Sequence, residues 1–438
     1  MTIRQRGWAL TAIGGLLLPL TGIGLYEQQH GAHDALAAII LIEGALYLVA
    51  AQLVWPGGFS RRMLIGVLAV AAVMRVAVLT APPSLSTDIY RYIWDGRVQA
   101  AGNNPYRYVP VDPHLAALRD GVIFPNVNRS TYARTIYPPL AEATFFAVTR
   151  ISERVTWMKT AMVLIEAAGI ALLIRLLFLK ALPPERILLY AWHPLTVWEF
   201  AGSGHIDAAL VALVALALWA HARKAVAFTG IALGCAALVK FLPIVILPAL
   251  YRRWDWKLPA AALATVAVGY LPYLSAGPAV FGFLHGYVAE EGLASGRGIY
   301  LWSLLRAAVP SLGASDWPYL VVAGGALAAL ALYVVLARQD DHDDITRAAV
   351  LAFAFLALLS PHYPWYFCWA ITFLCFVPWG SLRYLSVASA LLYFVKGGPD
   401  LTGPWLLVES AMYGPFVVIA LLELRRPRVR SISAEAQQ

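Results

Sequence analysis

Asp88 follows Ser86 and Thr87 and opens a segment in which Asp88, Arg91, Tyr92, Asp95 and Gln99 recur at i, i+3, i+4, i+7 and i+11. That spacing predicts a helix over 87–101, capped by Ser86 or Thr87 and ended by Asn103-Asn104-Pro105, with the five polar side chains on one face. A carboxylate held just above an apolar slab can act as a general base toward a hydroxyl. The plain alternative is a first-turn carboxylate that stabilises the helix N-terminus. Asp95 suits a structural pairing with Arg91 at i,i+4, and both Asp95 and Tyr92 also face the side where a ligand would bind.

Further along, Gly202-Ser203-Gly204-His205-Ile206-Asp207 separates two apolar runs. His205 and Asp207 can form a polar floor for a hydroxyl-rich ligand such as a sugar, or can merely satisfy a helix start and a free carbonyl. Lys240 has no basic neighbour and lies in an apolar stretch broken at Lys240-Phe241-Leu242-Pro243. An intramembrane ammonium is costly, so it is expected to neutralise an anion not encoded nearby, and a lipid phosphate is the candidate. On that reading Lys240→Met leaves the fold intact. Arg297, in a loop with Glu290 and Glu291, is a candidate second phosphate contact. In Ser360-Pro361-His362-Tyr363-Pro364-Trp365-Tyr366 the aromatic side chains fit either an interfacial belt or a sugar-stacking wall, with His362 as a polar handle.

These residues need a scaffold, and composition names it. Of 438 residues 60% are hydrophobic and 13% charged, which with a mean hydropathy of +0.68 describes an integral membrane protein. The net charge of +8 sits in short clusters such as Arg61-Arg62, Arg252-Arg253 and Arg425-Arg426, the mark of cytoplasmic loops, so no nucleic-acid partner is implied. Cys235, Cys368 and Cys375 lie in apolar runs without a CxxC pair and read as packing residues.

Apolar runs near 8–26, 35–55 and 63–80 predict three crossings that leave 81–136 as a large first outer loop, its helix lying along the membrane surface. Later runs fall near 160–179, 186–203, 205–222, 226–239, 243–250, 258–275, 317–337, 346–360, 366–380, 383–395 and 405–424. Basic stations keep a consistent inside only if 138–150, begun by Pro138-Pro139, is a partial helix. The expected fold is a single all-α polytopic domain over 1–438 with about 12–14 membrane helices, broken ones included. A second outer loop spans 276–316, and 425–438 is a cytoplasmic tail.

In order along the chain, Thr87-Asp88-Ile89-Tyr90-Arg91-Tyr92-Ile93-Trp94-Asp95-Gly96, Asn104-Pro105-Tyr106, Ile136-Tyr137-Pro138-Pro139, Gly204-His205-Ile206-Asp207-Ala208, Lys240-Phe241-Leu242-Pro243 and Pro361-His362-Tyr363-Pro364-Trp365-Tyr366 together resemble the GT-C superfamily of polytopic glycosyltransferases. The chain is most similar to bacterial polyprenyl-phosphate-mannose-dependent mannosyltransferases. The resemblance implies an inverting enzyme of the bacterial inner membrane that works on the periplasmic side. It would move mannose from a polyprenyl-phosphate donor to a glycan or glycolipid acceptor, with Asp88 in the catalytic position. Relatives carry adjacent acids or D-x-D where this chain has Thr87 and Ile89, so direct base catalysis is expected rather than a divalent metal. A secondary transporter and a non-catalytic envelope-assembly protein are the alternatives; against the transporter, the loop 81–136 has no counterpart in a second half.

Overall fold

A computed structural model describes residues 1–291, 298–312, 317–337, 343–395 and 403–425. Arg297 and the tail beyond Arg425 lie outside the described residues. Helices, many of them short or broken, make up the architecture, and no strand occurs among the described residues. Among the described residues seven helices are long and apolar enough to cross a membrane: Ile3–Gln29 (α1), His33–Val54 (α2), Arg61–Leu79 (α3), Val155–Leu179, Lys257–Phe281, Trp317–Leu336 and Pro404–Arg425. Shorter apolar helices, Asp207–Ala222, Val226–Ala237 and Pro364–Cys375, pack among them.

The helix expected at 87–101 is present as Asp88–Ala100 (α4), and other parts of the protein cover it. Arg91, Tyr92, Ile93, Trp94, Asp95 and Gly96 are all buried. Trp94, off the polar face of the helix, needs cover, and Phe124 meets it at 5.3 Å between ring centroids, beside buried Leu115, Ile123 and Val127. Arg97 fastens this lid, bonding Asp120 at 2.8 Å and Glu153 at 2.9 Å. Against the cost of burial, Arg97 and the backbone N–H groups of Phe124 and Ile123 hold the Asp120 carboxyl well below the usual range. On the other side, a Cβ on Gly96 would come within 2.6 Å of the Phe145 carbonyl oxygen, so α4 closes directly onto Pro139–Thr149 (α5). That helix is the partial one expected from Pro138-Pro139, with proline in its first turn.

The apolar run 186–203 is not a continuous crossing. Pro194 interrupts it, and the chain passes from a 3₁₀ turn at Pro184–Ile187 through Leu188–Ala191 and Pro194–Thr196 to a π-helix at Val197–Gly202. From Ile187 to Gly202 the stretch is buried in protein, where irregular backbone is tolerated if its polar groups find partners. They do: Arg75 donates to Ala191 O at 2.9 Å, Tyr47 to Leu189 O at 2.8 Å, and Thr196 to Tyr190 O at 3.1 Å. Arg75 also forms a fork on Glu166 at 2.7 and 2.6 Å, fastening α3 to Val155–Leu179 (α6). Glu43 accepts from Thr21 and from the indole of Trp198, joining α1, α2 and the π-helix. The core of the molecule is thus a broken segment clamped by polar side chains, and it delivers Glu199 and His205 to one place.

Candidate active site

Asp88 is the first residue of α4, and the chain enters it from α3 along 80–87. Lys159, buried near the start of α6, anchors that approach by donating to Val78 O at 3.0 Å and Ala81 O at 2.6 Å. The Asp88 side chain keeps 18% of its surface exposed. One carboxylate oxygen accepts from the Asn128 amide at 2.5 Å, and the other lies 3.8 Å from His205 Nε2.

Asp88 opens onto a chamber of about 320 Å³ whose wall includes Ser86, Thr87, Asn128, Arg129, Tyr287, Tyr363 and Trp365. Arg129 supplies the cation. Its Nε donates to Glu290 at 2.6 Å, and its guanidinium lies over the Tyr287 ring, 5.5 Å from the centroid. Although burial disfavours the charge, Glu290 and then Asp88 raise the Arg129 pKa above its already high value. A second chamber of about 340 Å³ adjoins the first and shares Leu85, Tyr363 and Trp365 with it. Glu290, Glu291, His362, Tyr393 and Trp405 also line it. Tyr363 and Trp365 stack at 4.4 Å between centroids and form the partition.

His362, Tyr363 and Trp365 therefore reach the cleft, as their expected role requires. His362 bonds Gly298 O at 2.7 Å and faces Glu291 across 3.2 Å. His205, Asp207 and Tyr366 lie behind the wall: they do not line either chamber. Tyr92 and Asp95 are more remote. Tyr92 stacks on Phe145 at 4.3 Å, and Asp95 is locked by Arg91 at 2.8 and 2.9 Å while Arg91 binds Ala133 O.

Lys240 departs from expectation. Its charge is matched within the protein, by Asp207 Oδ2 at 2.6 Å, and it sits over the ring of Tyr366, whose hydroxyl bonds that of Tyr287 in the first chamber. The partner is 33 residues earlier in sequence and is wholly buried. Sequence reasoning also missed Asn128, Arg129, Glu199, Tyr287 and Tyr393. Glu199 had a signal, being a carboxylate inside an apolar run. Asn128 and Arg129 belong to an irregular loop and had none. Among the described residues no three His, Cys, Asp or Glu side chains are grouped as a metal ion would need.

A polytopic all-α protein with a carboxylate and a guanidinium facing one cleft, walled by aromatic rings, has the make-up of a membrane glycosyltransferase. Residues 7–255 match the MptA_B family, described as alpha-(1->6)-mannopyranosyltransferase, N-terminal domain, and the chain belongs to that family. It is a mannosyltransferase of the membrane. No curated protein and no solved structure matches the chain.

Proposed function

We propose that this protein takes mannose from a polyprenyl-phosphate donor and transfers it, with inversion, to a hydroxyl of a glycan or glycolipid acceptor on the outer face of a bacterial inner membrane. The observation that carries this reading is the first chamber, which Asp88, Arg129 and Trp365 line together. A carboxylate can take the acceptor proton, and a guanidinium can receive the charge that develops on the departing phosphate. One base and one displacement give inversion, so a β-linked donor yields an α-mannoside. Arg129 replaces Lys240 as the main phosphate contact in this account, since Asp207 already occupies Lys240. Arg297 remains a candidate for the same phosphate. The acceptor enters through the second chamber, where Tyr363, Trp365 and Trp405 offer ring faces and Glu291 and His362 offer polar contacts.

A lipid-linked donor also explains a mannosyltransferase without a nucleotide-binding motif such as a P-loop in its sequence. Transfer is proposed to need no divalent ion, with Asn128 and His205 as the neighbours of the Asp88 carboxylate. The test uses purified protein in nanodiscs with polyprenyl-phosphate [¹⁴C]mannose and a mannose-bearing acceptor. Stoichiometric lipid phosphate and an α-mannoside are expected. Turnover only with a nucleotide-linked mannose, or a β-linked product, would overturn the reading.

A further inference from the structure

Behind the partition a row of polar side chains runs from one chamber to the other. Tyr393, which lines the second chamber, bonds Glu199 Oε1 through its hydroxyl; Glu199 Oε2 accepts from His205 Nδ1 at 2.7 Å; His205 Nε2 lies 3.8 Å from Asp88 Oδ2. Glu199 and His205 are fully buried, so neither touches substrate. His205 Nε2 has no hydrogen-bond partner among the described residues, and the charged group nearest to it is the carboxylate of Asp88. A buried ring nitrogen is costly to leave unmatched, and here the cost is met by facing it toward an anion.

We propose that Glu199 is a positioning residue for the transfer: by fixing His205 through Nδ1, it turns Nε2 onto Asp88 and gives the carboxylate that takes the acceptor proton a cationic partner beyond the substrate's reach. This rests on the reading of Asp88 as the base. The geometry of the backbone serves it directly. The π-helix places Glu199 one irregular turn before His205, and Gly204, at φ +73°, turns the chain between the two. Trp365 covers the imidazole at 4.4 Å between centroids and excludes water from it.

His205 lies in the connection between the π-helix and Asp207–Ala222. Burial disfavours its charge, but Glu199, with Asp88 and Asp207, outweighs burial and raises its pKa. The remaining groups on its surroundings are already satisfied: Lys159 on two carbonyls, Lys240 on Asp207, and Tyr393 on Glu199. The imidazolium is therefore present below its raised pKa and is lost as pH climbs through it. Activity that depends on it must decline on the alkaline side.

Steady-state kinetics of the full-length protein against pH test the inference, with Glu199→Gln, His205→Gln and Asp88→Asn assayed together. Glu199→Gln keeps an acceptor for Nδ1–H but removes the charge. It is expected to lower kcat about 10- to 100-fold with acceptor and donor KM within about twofold, and to move the alkaline limb of kcat to lower pH. In His205→Gln that limb should vanish, and adding Glu199→Gln to His205→Gln should cost nothing more. Should Glu199→Gln fail to fold, His205→Gln decides alone: an unchanged alkaline limb overturns the inference. If Asp88→Asn is inactive while Glu199→Gln keeps the wild-type kcat and pH profile, only the inference falls. If Asp88→Asn itself turns over normally, the reading of the base falls first.

Discussion

The two chambers on either side of Tyr363 and Trp365 are nearly equal in volume and both contain carboxylates, yet their carboxylates are held in opposite ways. Asp88 begins a helix, keeps part of its surface open and has one amide donor and one distant imidazole. Glu291, across the partition, faces His362 at 3.2 Å, and Glu290 is bonded to Arg129. A group that must accept a proton needs an uncommitted oxygen, whereas a group that shapes a pocket is better fixed by partners. The chambers also differ in origin. Asp88, Asn128 and Arg129 fall within the family-matched residues 7–255, while Glu290, Glu291, His362, Tyr393 and Trp405 lie beyond them. The carboxylate and guanidinium of the first chamber thus lie in the family-matched part, while Tyr287, Tyr363 and Trp365 of its wall and most of the second chamber come from the later part.

The comparison is broken most severely at Asp88. Asp88→Asn retains size and an oxygen for Asn128 but cannot accept a proton, so kcat should fall by about 10²–10⁴ with donor binding intact. Glu291→Gln should raise the acceptor KM and leave kcat nearly unchanged. Parallel kcat and KM determinations on the two variants distinguish the chambers; equal loss of kcat in both would erase the distinction.

Beneath the partition, Lys240 and Asp207 offer a stability test. Lys240→Met removes one member of the pair and leaves Asp207, fully buried, without its cation. Breaking a buried pair in this way costs about 3–5 kcal/mol, against the tolerance expected from sequence. Thermal unfolding in detergent should show a lower Tm for Lys240→Met and substantial recovery in the double variant Lys240→Met/Asp207→Asn. If the single variant unfolds like wild type, the ion pair is not structural and the lipid-phosphate role for Lys240 returns.

Local signals in the sequence were legible where physics is local. The start of α4 at Asp88, where the Ser86 hydroxyl and not Thr87 accepts a backbone N–H, the partial helix after Pro138-Pro139 and the break between Val226–Ala237 and Leu242–Ile246 follow from polar helix-start residues, prolines and run length. Pairings across the fold were not. Lys240 looked isolated because its partner lies on another helix, and Glu199 vanished into a run whose apolar composition imitates a span. The same composition concealed that 186–203 is wound irregularly, since burial inside protein and burial in lipid call for the same side chains. That the loop 106–127 covers helix α4 is not legible, because this loop carries no periodic pattern.

The second chamber has its own titration. His362, in the connection 360–363, is disfavoured as a cation by burial, but the hydrogen bond and charge of Glu291 prevail and its pKa is raised. Its charged contact is complete below the ordinary histidine value of about 6.5 and is lost as pH rises through the higher folded value. The acceptor KM is expected to climb several-fold over that range, a dependence absent from His362→Gln. With His205 proposed to act on kcat and His362 on acceptor KM, the two pH effects should separate cleanly between kinetic parameters. A pH-independent acceptor KM in the wild type would remove His362 from the acceptor's contacts.

The smallest expected effect is that of chelation. Metal-assisted transfer requires an ion held near the leaving phosphate by several ligands, and one carboxylate with one imidazole is a weak site. The His205 nitrogen that would have to bind the ion faces Asp88 across 3.8 Å, and its other nitrogen is already committed to Glu199. Coordination there would also require a neutral Nε2, against the field of the surrounding carboxylates. Arg129 can instead meet the phosphate with a fixed charge that no chelator removes. Turnover is therefore expected to remain within about twofold after exhaustive EDTA treatment and dialysis, and Arg129→Gln to be the change that weakens donor binding. Loss of activity on chelation, restored by a divalent ion in wild type and not in His205→Gln, would convert Asp88 from base to ligand and collapse the contrast between its open oxygen and the fixed carboxylates across the partition.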